Sequence, residues 1–135
     1  LKKDYALSLI NVNTLYKECK MKISKNLLSG STTMLLLKLL DNKDMYGYQM
    51  IDELAKRSDD TFSLKAGTLY PLLHSLEKDG ILTSYEENPD NSRVRKYYSI
   101  TKDGKKLLKE KENEWKIYSS KINKVLDGGV KFEGI

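Results

Sequence analysis

Gly67-Thr68-Leu69-Tyr70-Pro71-Leu72-Leu73-His74-Ser75-Leu76-Glu77-Lys78-Asp79-Gly80-Ile81 reads as one amphipathic helix followed by its own stop signal. Leu69, Leu72, Leu73 and Leu76 recur at the three- and four-residue spacing that puts side chains on one helical face. Gly80 stands where a left-handed cap belongs, and Ile81 beyond it can fold back onto the helix. The side opposite the leucines offers Gly67, Pro71, His74 and Lys78, with Thr68, Tyr70 and Ser75 beside them, and no large aliphatic residue interrupts it. Such a face supplies hydroxyl, imidazole and ammonium groups for base edges or phosphates, and Gly67 lets the backbone approach a duplex closely. Pro71 lacks an N–H and is comfortable only in a first turn, so either Thr68 is the N-cap or the opening turn is distorted. In both cases Lys65 to His74 lie at the N-terminal end, the part a recognition helix presents to DNA.

Two helical patterns precede this one. Leu28, Leu35, Leu36, Leu39 and Leu40 predict a buried helix over Lys25 to Leu40, ended by the polar run Asp41-Asn42-Lys43-Asp44. Gly47, Ile51, Leu54 and Ala55 share a face over Tyr46 to Arg57, with Asp44 as N-cap. Phe62 and Leu64 flank Ser63 in the alternation of a very short strand. Downstream, Ile81–Glu86 and Arg93–Ile100 are strand-like runs separated by the turn formers Asn88-Pro89-Asp90-Asn91-Ser92, which predicts a hairpin. Thr101 opens a last helix to about Leu126, in which Leu108, Trp115 and Ile122 are seven apart and Tyr118 and Val125 form a second series. The expected fold is mainly α (α+β): a winged helix-turn-helix with a two-stranded wing and a long C-terminal dimerisation helix. Residues 1–20 read as an N-terminal extension, because Met21 begins a run that looks like a natural start. Residues 21–100 form the DNA-binding domain, 101–127 the dimerisation helix and 128–135 a tail.

Composition restricts the function. The 135 residues fit one domain, and 39% hydrophobic with 32% charged residues is enough to fold. Twenty-four Lys and Arg against 19 Asp and Glu give a net charge of +5, a mild excess that suits polyanions only if the charges are grouped. The longest apolar stretch, Met34 to Leu40, is broken by Lys38 and falls far short of the ~18 residues of a membrane span. The single Cys19 cannot form an intrachain disulfide, so a reducing cytoplasm is the expected compartment. No nucleophile stands with a base at a recognisable spacing and no glycine loop cradles phosphate, so no enzyme and no cofactor are expected. The only histidine, His74, lacks Cys or carboxylate partners at ligand spacing, which leaves no metal site. Arg93, Arg95 and Lys96 cluster on the second ribbon strand, where they can reach phosphates or the minor groove, while Glu86 and Glu87 partly offset them.

Tyr46-Gly47-Tyr48, Gly67-Thr68-Leu69-Tyr70-Pro71-Leu72-Leu73, Leu76-Glu77-Lys78-Asp79-Gly80-Ile81-Leu82, Arg95-Lys96-Tyr97-Tyr98 and Ile100-Thr101-Lys102-Asp103-Gly104 together resemble the PadR family of bacterial transcriptional regulators over about residues 27–126. The resemblance implies a homodimeric winged-helix repressor, paired through its last helix on a two-fold symmetric, inverted-repeat operator in double-stranded DNA. The short single C-terminal helix resembles the small branch that includes the LmrR-like multidrug sensors. In that branch a tryptophan on the dimerisation helix stacks on planar ligands, and Trp115 falls at the matching distance after Thr101. The wing tip departs from the family's glycine- and arginine-rich turn.

The candidate DNA contacts are therefore Tyr48, Lys65, Thr68, Tyr70, His74, Arg93, Arg95 and Lys96. Tyr48 would be a phosphate contact assisted by a helix N-terminus, and Tyr70 is either that or a half-buried packing residue. The expected dimer seam is Leu108, Trp115, Tyr118, Ile122 and Val125. Trp115 is a seam residue, a platform for a planar small-molecule effector, or both. The alternative to a repressor is a winged-helix protein-interaction module without ligand or DNA target, which Glu86 and Glu87 would permit.

Overall fold

The computed structural model describes residues 22–128. Its first helix, α1 (Lys25–Asn42), carries Leu36, Leu37, Leu39 and Leu40 into the core. A two-residue strand β1 (Met45–Tyr46) leads into α2 (Gly47–Arg57), and a turn leads to α3 (Ala66–Lys78). Strand β2 (Leu82–Glu87), a single 3-10 turn (Pro89–Asn91), strand β3 (Arg95–Ile100) and the long α4 (Lys102–Leu126) follow. This is the winged helix-turn-helix arrangement, with one addition: β1 pairs with β3, so the sheet has three antiparallel strands in the order β1-β3-β2. Two residues are too short for an alternating pattern to be visible in the chain, and only the pairing with Tyr97 and Tyr98 reveals them.

One hydrophobic core joins all of these elements. Leu69, Leu73 and Leu76 of α3 meet Met50 and Leu54 of α2, the leucines of α1, Leu82 of β2 and Tyr98 of β3. Gly80 has a φ of +76°, the left-handed value its place predicts, and the Ile81 N–H donates back to the Leu76 carbonyl at 2.9 Å. Thr101 ties this end of α3 to the start of α4. Its N–H donates to the Ile81 carbonyl, its Oγ1 lies 2.7 Å from the Gly80 carbonyl, and that same oxygen accepts the Gly104 N–H as N-cap.

Four expectations need correction. Phe62–Leu64 is not a strand: Ser58 knits that turn by donating to the Leu54 carbonyl and accepting the Phe62 N–H, which leaves no partner strand for it. Asp44 does not cap α2; the Gln49 side chain accepts the Tyr46 N–H at 3.1 Å, and Asp44 instead accepts from Tyr85. Helix α3 starts at Ala66 with Lys65 as N-cap, so Pro71 sits inside it and offers no N–H to the Gly67 carbonyl on the exposed side. Leu108, expected in a dimer seam, is only 2% exposed and belongs to the hydrophobic core of this chain. The core thus runs across the boundary expected at residue 100.

The outward face of the sheet is aromatic because the register puts Tyr46, Tyr97 and Tyr85 side by side. Tyr85 stacks on Tyr97 at 5.7 Å between centroids, Tyr97 meets Tyr46 edge-on at 5.4 Å, and the Tyr85 hydroxyl donates to Asp44 Oδ2 at 2.6 Å. That bond to an anion is the main reason the Tyr85 phenol is pushed up to about 12, with burial and the Asp44 charge behind it. A folded-state value above the ordinary 10 contributes stability that is full below 10 and is lost as pH rises through about 12. In a titration followed by NMR of labelled tyrosine, the resonance missing from Tyr85→Phe is expected to shift near pH 12, and Asp44→Asn to bring it back toward 10. An unchanged midpoint in Asp44→Asn would rule out the hydrogen bond as the cause.

Candidate nucleic-acid interface

The burial of one side of α3 dictates what the other side shows. Leu69, Leu73 and Leu76 are buried and Leu72 half-buried, so Gly67, Thr68, Tyr70, Pro71, His74, Ser75 and Lys78 are exposed along one face, with Lys65 exposed at its start. The polar surface expected from the sequence is present, and it runs the length of the helix, from Lys65 at the N-cap to Lys78 at the last residue. Beside it stands the start of α2, where Tyr48 is exposed in the first turn.

Tyr70 joins the two helices. Its ring lies against Gly47, the first residue of α2, where any Cβ would collide with the phenol. The contact requires glycine for room, not for a special φ. Burial, followed by the neighbouring Tyr48 and Tyr98, raises the Tyr70 phenol above its ordinary value, so it stays a neutral donor at physiological pH. Of the two alternatives for Tyr70, the geometry combines both: a ring packed on Gly47 and a residue still 39% exposed.

The wing closes the third side. Tyr46, Gly47, Tyr48, Tyr70, Arg93, Val94, Arg95 and Lys96 line an open groove of 550 Å³ between the start of α2, the start of α3 and β3. Arg93 and Arg95 bring positive charge to this lining and no carboxylate opposes them there, so the groove suits anions, and the first residues of α2 border it. The three cations are held differently. Arg93 lies ahead of β3 and is exposed. Arg95 is half-buried, its guanidinium 4.4 Å from the Tyr46 centroid and its Nε buried without a hydrogen-bond partner among the described residues. Lys96 turns to the opposite sheet face, its Nζ 3.6 Å from Glu77 Oε1 and 5.4 Å from the Tyr98 centroid.

All eight predicted contact residues therefore fall on α3, the start of α2 or the wing, yet Arg95 and Lys96 are tied to the protein. Sequence reasoning did not single out Tyr46, which supports Arg95, or Glu77, which holds Lys96. Tyr46 would have been visible only through its pairing with Tyr97, and Glu77 only through its place one turn after His74.

A second surface lies along α4. From Asn113 onward nearly every residue is exposed, including Trp115 at 48%, Tyr118 at 54%, Ile122 at 38% and Val125 at 79%. Their spacing of three, four and three makes one apolar stripe. At its base Trp115 and Tyr118, with Leu27, Gly30 and Met34 of α1 and the charged Lys111 and Glu114, border a hollow of 280 Å³. Among the described residues no helix is long and apolar enough to cross a membrane, and no group of three or more His, Cys, Asp or Glu could hold a metal ion.

Comparison with known proteins agrees with this geometry. Residues 36–110, more than half of the chain, match the transcriptional regulator PadR-like family. The chain is 31% identical over 106 residues to the uncharacterized protein X of Lysinibacillus sphaericus, covering 78% of this chain and 97% of that one. A transcriptional regulator from Clostridium thermocellum superposes with a TM-score of 0.70 at 34% identity, covering 76% of this chain and 96% of the other. A PadR family transcriptional regulator from Eggerthella lenta gives 0.66 at 30% identity, covering 90% and 96%. The family is one of transcriptional regulators and not of enzymes, which makes this chain a DNA-binding transcriptional regulator. The chain belongs to the PadR-like family of transcriptional regulators.

Proposed function

We propose that this regulator is a homodimeric repressor that reads an inverted-repeat operator with the exposed face of α3 and is released by a planar aromatic ligand. The observation that carries the reading is the presence of two surfaces left exposed by the described residues on one frame. One is polar and cationic, from Lys65 to His74 with the groove beside it; the other is the apolar stripe of α4. A second copy covering Trp115, Tyr118, Ile122 and Val125 would set two recognition helices about one DNA turn apart, ~34 Å. Trp115 also borders the hollow against α1, so a planar molecule stacked there would touch the seam and alter that separation. Tyr48, Lys65, Thr68, Tyr70, His74 and Arg93 are the direct contacts, with Arg95 held against Tyr46 at the edge of the groove.

Selection from a random duplex pool is expected to recover an inverted repeat. On that duplex, Lys65→Ala and Tyr70→Ala should each weaken binding roughly tenfold, of the order of one charge-assisted hydrogen bond. Gly47→Ala, which displaces the Tyr70 ring without touching DNA, should weaken binding as well. Unimpaired binding by all three would show that another face carries the contact. Ile122→Glu puts like charges across the seam and is expected to give monomers in sedimentation, with operator binding lost; a stable dimer would move the interface elsewhere. The fluorescence of the lone tryptophan should be quenched by planar aromatic dyes, which should also free the operator. Equal dye affinity in Trp115→Ala would remove it as the platform.

A further inference from the structure

A single carboxylate joins the wing to the recognition helix. Glu77 lies on α3 three residues after His74, so it is one turn from the exposed polar face. It accepts a hydrogen bond from the Ser84 hydroxyl of β2, and its Oε1 stands 3.6 Å from Lys96 Nζ of β3. One side chain thus holds both wing strands. The same register that places Tyr85, Tyr97 and Arg95 outward turns Ser84, Lys96 and Tyr98 inward, toward α3. The Lys96 ammonium lies over the ring of the buried Tyr98, so aromatic face and carboxylate draw it the same way. The Ser84 hydrogen bond is the largest influence holding the Glu77 carboxyl below its ordinary value; slight burial opposes it and the Lys96 charge reinforces it. Glu77 is therefore an anion at any pH at which the protein meets DNA, and among the described residues it is the carboxylate that pairs with Lys96, although Glu86 stands opposite Lys96 in the strand register.

The chemistry of this arrangement differs from that of a phosphate contact. A cation on a phosphate strengthens binding to every sequence alike, because phosphates carry no sequence information. A link between wing and helix acts otherwise, by requiring both elements to fit one site together. We propose that Glu77 is a positioning residue that docks the wing on the recognition helix and withholds Lys96 from DNA phosphate, lowering affinity for random duplex. The inference rests on the reading that α3 and the wing face DNA. It makes Lys96 a restrained cation and not a direct contact, and it leaves Arg93 as the wing's free charge.

Glu77→Gln keeps a partner for the Ser84 hydroxyl and deletes the charge. The test is the salt dependence of binding to a labelled duplex of scrambled sequence. Freeing one cation should steepen the slope of log affinity against log salt by about 0.9, so that a fourfold rise in salt costs the variant about threefold more affinity than wild type. Glu77→Gln combined with Lys96→Gln should return to the wild-type slope, since the freed cation is then absent. The exchange Glu77→Lys with Lys96→Glu restores the pair in reverse and should also keep the wild-type slope, which a role in shape alone does not predict. A Glu77→Gln slope equal to wild type overturns the inference, as does a steeper slope that persists in the double variant or appears in the exchange. If Glu77→Gln fails to fold, the exchange decides alone. Failure of the wild-type chain to bind any duplex sinks this inference together with the DNA face, whereas wild-type binding with an unchanged Glu77→Gln slope sinks this inference only.

Discussion

Leu69, Leu73 and Leu76 are drawn into the space between α1, α2 and the sheet, and what α3 shows to its surroundings follows from their burial. A helix of 13 residues has few side chains to spend. Once these three are buried, helical geometry leaves Gly67, Thr68, Tyr70, Pro71, His74 and Lys78 with no place but the surface. Burying a leucine is worth ~2 kcal/mol, so the three together outweigh any local preference of the polar side chains. The polar surface of α3 is thus fixed in orientation by apolar packing on its far side. The terminator reinforces it: Gly80 and Ile81 close α3, and Thr101 bonds to both of their carbonyls, so α4 departs from a set point.

Helix α4 changes character along its length. Up to Leu108 it is part of the core, against α1; from Asn113 nearly all of its residues are exposed. The seven-residue series Leu108, Trp115, Ile122 is continuous in the chain but divides in space, because Leu108 is buried in the core while Trp115, which borders the hollow against α1, and Ile122 stay exposed. Periodicity reports which side of a helix is apolar, not which molecule covers it. For that reason Trp115 and Tyr118 were readable as apolar positions, while the separation of Leu108 from them was not.

Much of the frame was legible from the chain. Helix α4 has the predicted bounds, Thr101 is its cap, and the leucine face and polar face of α3 lie as the spacing requires. The misses share a cause. β1, the Tyr85–Asp44 bond across 41 residues, the seat of Arg95 on Tyr46 and the Lys96–Glu77 pair all join residues far apart in sequence, through a register that no local pattern states. Arg95 and Lys96 are neighbours in a strand, and a strand sends neighbours to opposite faces. Counting them as one basic cluster overlooked that alternation, although the alternation itself was available from the sequence.

That opposition shapes how the wing works. A hairpin with Glu86, Glu87 and Asp90 near its tip is a poor electrostatic probe, since its carboxylates repel the phosphates its arginines attract. The outward tyrosines hold β1 and β3 together, and β2 is bonded to both α3 and Asp44. Packing replaces charge in such a wing: it adds little attraction of its own, but it holds Arg93, Tyr48 and Tyr70 around one groove. Preorganisation of this kind lowers the ordering cost of binding without favouring every sequence equally, as more lysines would. A regulator with a net charge of only +5 has reason to gain selectivity in that way, because its long-range attraction to DNA is modest from the start.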